Sequence, residues 1–292
     1  MSNDNHIHKN HSHHLHTHGV VKNMYWAFGL NAFFTIIEFI GGVIFNSTAI
    51  LSDAVHDLGD TLAIGSNIYL EKKSLKKVNS TFTYGFRRLS VLAGLANAII
   101  LISGSAIMAF KAIERIIDPE PVNSLGMFWM AVLGVLFNSA AVWSMKKSKQ
   151  GINAKTMYLH LLEDALGWVV ILIGSLLIGY YNIPVLDPIL SLCLSLFIAY
   201  NGIKLLKPVY LILMATVPKS LDMKKLNSKI NDVVGLIELH DTHVWSLDGE
   251  YHILSAHALI RADATAKEEN EIKNKIIEIC RNLNIFHTTL EI

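Results

Sequence analysis

The chain of 292 residues is 52% hydrophobic and only 17% charged, with a mean hydropathy of +0.39. That is too apolar for a soluble domain of this size and predicts several membrane spans. A net charge of +1 gives no polyelectrolyte character and argues against a nucleic-acid partner. The two cysteines, Cys193 and Cys280, have no CxxC partner, which argues against a disulfide framework or a thiolate metal site.

Seven of the fourteen histidines fall in the first eighteen residues: His6, His8, His11, His13, His14, His16 and His18. They are interleaved with Ile, Lys, Asn, Ser, Leu and Thr in a segment that cannot bury a core, so residues 1–22 are expected to be a disordered, His-rich tail. Such a tract suits loose metal capture or is simply a solvated tail. It lacks a basic start followed by a short apolar core, so no cleavable signal peptide is expected and targeting falls to the first span.

Six apolar stretches follow, at 24–45, 48–71, 88–113, 125–146, 156–180 and 185–206, each near the ~20 residues a helix needs to cross a bilayer. The connections 71–88 and 146–155 are basic, and Lys204, Lys207 and Lys219 follow the sixth stretch. The connections 45–48, 118–124 and 180–184 carry no Lys or Arg. The positive-inside rule then puts both termini in the cytoplasm, with Lys111 and Arg115 a mild exception.

Beyond about residue 216 the composition becomes that of a small soluble domain. Residues 219–234 have helical periodicity, 237–247 and 251–260 read as strands around the turn at 248–250, 266–283 as an amphipathic helix and 285–292 as a final strand. The order helix, strand, strand, helix, strand suits a truncated ferredoxin-like α+β domain. The expected fold is thus an α-helical membrane protein, six transmembrane helices over 23–208 followed by a small cytoplasmic domain over 209–292.

Ionisable residues inside a span are expensive and face a cavity, pair with each other or bind a substrate. "LSDAVHDLGDTL" (51–62) carries four. His56 and Asp60 lie four apart, on one helical face. The fifth span repeats the pattern with His160 and Asp164. Two such helices bring together two imidazole nitrogens and two carboxylates, a set Zn²⁺ accepts tetrahedrally at bonds of roughly 2.0–2.2 Å. The absence of thiolate argues against Cu⁺, and the imidazoles argue against Mg²⁺ or Ca²⁺. A single pair would as readily be a polar contact between helices; the repeat is what favours metal.

"LSDAVHDLGD" (51–60), "TFTYGFRRLSVLAGLANA" (81–98), "RIIDPEPV" (115–122), "LHLLEDALGW" (159–168), "DPILSLCLSLFI" (187–198) and "LHDTHVWSLDGEYHILSAHALI" (239–260) resemble the cation diffusion facilitator family of the zinc-exporting type, active in zinc, cadmium and cobalt resistance. The resemblance covers nearly everything after residue 20. It implies a homodimer in the lipid bilayer, a multi-pass protein of a bacterial plasma membrane that exports divalent metal in exchange for protons. It also implies that His56, Asp60, His160 and Asp164 form the transport site, and histidine at both pair positions favours Zn²⁺.

Other polar residues have two readings each. Glu38 in the first span is an outer-cavity carboxylate on a proton path or a packing contact beside Gly41 and Gly42. Asp57 and Glu163 flank the metal pairs and could orient the ligands or meet water in the cavity. Asn138 reads as a helix–helix hydrogen bond. In the soluble domain, His240 and His257 match positions that bind regulatory zinc in the resembling family, and His287 opens its terminal "HTT" stretch. The match is incomplete, since 261–273 has no histidine and position 289 is Thr. His243 and His252 read as ordinary strand residues. A zinc sensor that moves no metal and an intramembrane hydrolase are competing classes. Midplane ligands on two spans disfavour the first, and the lack of HExxH disfavours the second, so no enzyme is expected.

Overall fold

The structure is a computed structural model and describes residues 17–74, 79–145 and 152–292. The histidines His6, His8, His11, His13, His14 and His16 lie outside the described residues, as does the side chain of His18. Six long helices come first: α1 (Thr17–Ile44), α2 (Thr48–Ser74), α3 (Arg88–Ile117), α4 (Ser124–Met145), α5 (Ile152–Tyr181) and α6 (Leu186–Leu213). Then come α7 (Met223–Asn231), β1 (Leu236–Ser246), β2 (His252–Ile260), α8 (Ala266–Asn282) and β3 (Ile285–Glu291).

Most of the long helices outrun the apolar stretches that announce them. Hydropathy marks where a chain can sit in lipid, whereas backbone hydrogen bonding continues through flanking Lys, Glu and Asn residues. Among the described residues, α3, Ser124–Trp143 of α4, Tyr158–Tyr181 of α5 and α6 are long and apolar enough to cross a membrane. The apolar part of α1, Phe28–Ile44, is shorter. Helix α2 has 27 residues, roughly 40 Å at 1.5 Å per residue, but its ionisable groups keep its mean hydropathy low.

Helix ends follow local chemistry. α1 stops at Asn46, which takes a left-handed conformation (φ 55°). There Ser47 N donates to Gly42 O at 2.9 Å and Asn46 N to Val43 O at 3.3 Å, the paired bonds of a Schellman cap. The start of α2 is capped from far away. The buried carboxylate of Asp187 in α6 accepts from Thr48 N at 2.7 Å, Ala49 N at 3.3 Å, Ser47 Oγ at 2.5 Å and Thr48 Oγ1 at 2.8 Å.

The chain divides into two compact units, 1–71 with 100–200 and 72–99 with 201–292. The first is inverted relative to a soluble protein. Ile36, Val43, Phe110, Leu136 and Leu166 are exposed, while Glu38, Asp53, Asp57 and Asp187 are buried. An exposed apolar surface over a polar interior is what lipid requires. Its apolar core centres on Phe34, which stacks on Phe137 at 4.5 Å and meets Trp168 edge-on at 5.9 Å.

Close helix approach depends on glycine. Helix α2 presses against α3 where a Cβ on Gly59 would stand 2.3 Å from Leu101 Cδ2. A Cβ on Gly134 of α4 would stand 2.1 Å from Cδ2 of the fully buried Trp168 of α5. Trp168 lies one helical turn beyond Asp164, so Gly134→Ala must push the tryptophan and the turn carrying that carboxylate. We expect it to destabilise by about 1–3 kcal/mol, read as a lower midpoint of thermal unfolding in detergent. An unchanged midpoint would mean the α4–α5 contact has slack.

In the second unit the sheet order is β1-β2-β3, with β1 antiparallel and β3 parallel to β2. The β2–α8–β3 crossover makes that parallel pair possible. Helix α7 is capped by Asp222, and α8 by Thr265 in a capping box with Glu268. Leu226, Ile230, Leu254, Ile276 and Ile285 fill the space between helices and sheet. Asp248 shapes the β1–β2 turn, accepting from Glu250 N at 2.9 Å and Tyr251 N at 2.7 Å. Arg87, from the segment before α3, bridges to Asp248 at 3.0 Å and lies over the Tyr251 ring at 4.4 Å. Burial opposes ionisation of Asp248, but these backbone donors and the guanidinium hold its carboxyl below the ordinary range.

Candidate metal centre

Helical spacing puts His56 one turn before Asp60 on α2 and His160 one turn before Asp164 on α5. The structure brings both pairs together. His160 Nε2 lies 3.0 Å from Asp60 Oδ2, and His56 Nε2 lies 3.4 Å from Asp164 Oδ1. Within each helix the corresponding separations are 3.8 Å for His56–Asp60 and 3.9 Å for His160–Asp164. The two imidazole rings meet edge to face at 5.7 Å. One ligand atom from each residue lies within 4.8 Å of the others.

These separations suit a tetrahedral ion. Bonds of about 2.0–2.1 Å place neighbouring ligand atoms about 3.3–3.4 Å apart, and the four measured separations bracket that value. Both histidines turn Nε2 inward. The Asp164 side chain is 10% exposed and its Oδ1 is buried without a hydrogen bond, an acceptor aimed into the cluster. The His160 side chain is 39% exposed, so the centre is not sealed. Two neutral imidazoles and two ionised carboxylates carry a charge that one divalent cation cancels.

The other side chains distribute differently. Glu163 is exposed and is not among the groups that converge on the centre. Asn138 is buried but donates to Gly134 O of its own helix at 3.2 Å, where a bond between helices was expected. Glu38 and Asp57 do not join the His/Asp centre. With Asp53 they form a second group of buried carboxylates, one oxygen from each within 4.8 Å of the others.

On the sheet, His240 and His257 are cross-strand partners with rings 5.4 Å apart. His287 pairs with Ile253, four residues along β2 from His257, which puts it roughly 13 Å away at ~3.3 Å per residue. It faces the Tyr84 ring at 5.5 Å. The groups that do approach His257 are Asp241 at 3.8 Å and Glu291 at 3.5 Å, with His243 2.9 Å from Asp241. Asp241 sits at a register shift in β1 with φ 50°, which turns its carboxylate between the two histidines. His252 is buried against Ser220 at 3.3 Å, and burial lowers its pKa.

Two buried aspartates take places that the sequence reading does not give them. Asp187 gives no local sign that it caps a helix 139 positions earlier. Asp53 does give a sign, since it lies four residues before Asp57, yet its cluster needs Glu38 from another helix.

The family model described as the cation efflux transmembrane domain matches residues 24–214. The cadmium, cobalt and zinc/H(+)-K(+) antiporter of Bacillus subtilis (strain 168) is 31% identical over 261 residues, 88% of this chain and 84% of that relative. Zinc transporter ZitB of Escherichia coli (strain K12) is 32% identical over 258 residues, 87% of this chain and 82% of the relative. The metal cation efflux system protein CzcD of Cupriavidus metallidurans is 27% identical over 280 residues, 95% and 88% of the two chains. The matched segment takes in α2–α6 and all but the first seven residues of α1, and with them both His-x-x-x-Asp pairs. The chain is a membrane transporter, not an enzyme, and belongs to the cation diffusion facilitator, or cation efflux, family.

Proposed function

We propose that the chain is a proton-coupled antiporter that exports divalent metal, above all Zn²⁺, from the cytoplasm. His56, Asp60, His160 and Asp164 hold the ion in transit. The observation that carries this reading is the convergence of two His/Asp pairs from separate membrane helices at 3.0–3.9 Å. Relatives named as zinc transporters and as a zinc/H(+)-K(+) antiporter support both the cargo and the exchange.

In the mechanism, Zn²⁺ enters from the cytoplasm when the imidazoles are neutral and the carboxylates ionised. Metal and protons compete for these ligands. Once the helices rock to face outward, protons arriving from that side occupy the ligands and release the metal. Histidine's ordinary pKa near 6.5 suits this competition. The same four side chains thereby serve both ions.

All six long helices span the membrane, their lipid-crossing parts lying within 23–208, and α2 tolerates its ionisable groups because they face the interior. Residues 1–22, of which 17–22 already belong to α1 and not to a disordered tail, lie on the cytoplasmic side, and their histidines capture metal loosely. Residues 209–292 form a cytoplasmic domain whose sheet matches a ferredoxin-like sheet without its first strand. The protein works as a homodimer in a bacterial plasma membrane, with both termini cytoplasmic. His240 and His257, with Asp241 and Glu291 beside them, are the regulatory metal ligands of that domain; His287 joins only if β3 moves.

The experiment is Zn²⁺ flux into proteoliposomes under an imposed pH gradient. Each pH unit is worth about 1.4 kcal/mol per exchanged proton, a tenfold change in the metal gradient it sustains. Accumulation should rise with the gradient and reverse with its sign. Flux indifferent to the gradient would end the exchange mechanism even if the site is right.

A further inference from the structure

We propose that Glu38, Asp53 and Asp57 form a second cation site, made only of carboxylates, that takes a hard divalent ion of the Mg²⁺, Mn²⁺ or Ca²⁺ class. It shares no ligand with the histidine-bearing centre and does not depend on the function proposed for that centre.

The three side chains are 0%, 7% and 6% exposed. Three carboxylates at that depth are strongly unfavourable without a countercharge. Each presents an oxygen within 4.8 Å of the other two. Both oxygens of Glu38 are buried, and no backbone N–H, amide or hydroxyl donates to either. Glu38 comes close enough to Asp57 for the two carboxyls to share a proton, and a divalent ion would take that proton's place. Oxygens that converge from two helices frame a gap of ionic size. Bonds of about 2.0–2.6 Å hold coordinating oxygens roughly 3–5 Å apart.

The donor chemistry selects the ion. No imidazole or thiolate belongs to the group, and all-oxygen sites favour Mg²⁺, Ca²⁺ and Mn²⁺. Helix α2 thus presents two rows one residue out of step: Asp53 and Asp57, and His56 and Asp60. One row offers only oxygen to a ligand from α1, and the other adds nitrogen and faces α5.

The surroundings fix this arrangement. Asn31 Nδ2 of α1 donates to Asp57 O at 3.2 Å and to Thr61 Oγ1 at 2.9 Å, and Thr35 Oγ1 lies 3.4 Å from the same Thr61 hydroxyl. These bonds lock the register in which Glu38 meets α2. On the other side, Asp53 Oδ1 stands 3.9 Å from where a Cβ would sit on Gly167 of α5.

The test is binding of Mn²⁺ to the full-length protein in lipid nanodiscs, read from loss of the free-ion electron paramagnetic resonance signal. The chains compared are wild type, Glu38→Gln, Asp53→Asn and the α5 double variant His160→Gln/Asp164→Asn. Zn²⁺ affinity is measured on the same samples. Wild type and the α5 variant should share a Mn²⁺ equivalent of similar affinity. Glu38→Gln and Asp53→Asn should weaken it about 10-fold or more and leave Zn²⁺ affinity within about 3-fold of wild type. Either carboxamide variant suffices if the other fails to fold, as judged by its melting transition. Absence of Mn²⁺ binding in wild type would overturn the proposal, leaving a cluster that holds protons only. So would Mn²⁺ binding that is lost in the α5 variant and kept in Glu38→Gln, which would leave the His/Asp centre intact as the only metal site. Loss of Zn²⁺ together with Mn²⁺ in Glu38→Gln would show one merged site and equally overturn it.

Discussion

Replacing Asp60 and Asp164 together by alanine is expected to lower Zn²⁺ flux in proteoliposomes by about 100-fold or more. Losing a partner that only orients a ligand already costs roughly 10–100-fold in metal affinity, and this variant removes two ligands outright. Asp60 is the more exposed to loss, because its Oδ2 lies 3.0 Å from His160 and 3.8 Å from His56 and so faces both imidazoles. Asp60→Ala alone should therefore show most of the defect. The two substitutions should combine to less than the product of the single effects, since they dismantle one unit.

A stability measurement separates this prediction from simple misfolding. Apart from metal, the four side chains are ionisable groups held among membrane helices, which is unfavourable. Removing two of them should leave the melting temperature of metal-free protein unchanged or raised, while Zn²⁺ no longer raises it. Normal flux in the double variant would sink the site assignment. Lost flux with a lowered metal-free melting temperature would place the two aspartates in the fold and not in transport.

What the sequence discloses about this centre follows from where the information lies. The pairs His56/Asp60 and His160/Asp164 are legible because helical geometry fixes which residues share a face. That α2 and α5 meet is also legible, because only their juxtaposition makes sense of two costly copies of one pattern. The Glu38 cluster is not legible in this way. Its three carboxylates lie on two helices whose rotation is set by Asn31 and Thr61, and no repeat advertises the contact. Helix ends misread for a related reason: lipid solubility and backbone hydrogen bonding stop at different residues. In the sheet domain the elements are plain from periodicity, but register is not. His287 and His257 face the same side of adjacent strands, yet pairing of His287 with Ile253 keeps them apart.

Asp187→Ala is expected to destabilise the protein by about 2–4 kcal/mol, the balance of lost charge-assisted bonds, stranded donors and a relieved buried charge. The fully buried carboxylate stands in the first turn of α6, where that helix's own dipole favours it. It also accepts four hydrogen bonds from Ser47, Thr48 and Ala49 at the start of α2. Alanine takes the acceptor from the buried Thr48 and Ala49 N–H groups, and it unpins the end of α2 that leads to Asp53 and His56. For a chain of this size the shift corresponds to a melting temperature lower by roughly 5–15 °C. Asp187→Asn keeps one carbonyl acceptor and should lose about half as much. Zn²⁺ affinity should fall in the same order, alanine below asparagine below wild type, because the residue acts on the site only by holding α2 in place. A melting temperature within about 1 °C of wild type for Asp187→Ala would show that α2 needs no cap from α6. Weakened Zn²⁺ binding at an unchanged melting temperature would instead move Asp187 onto the path of the ion.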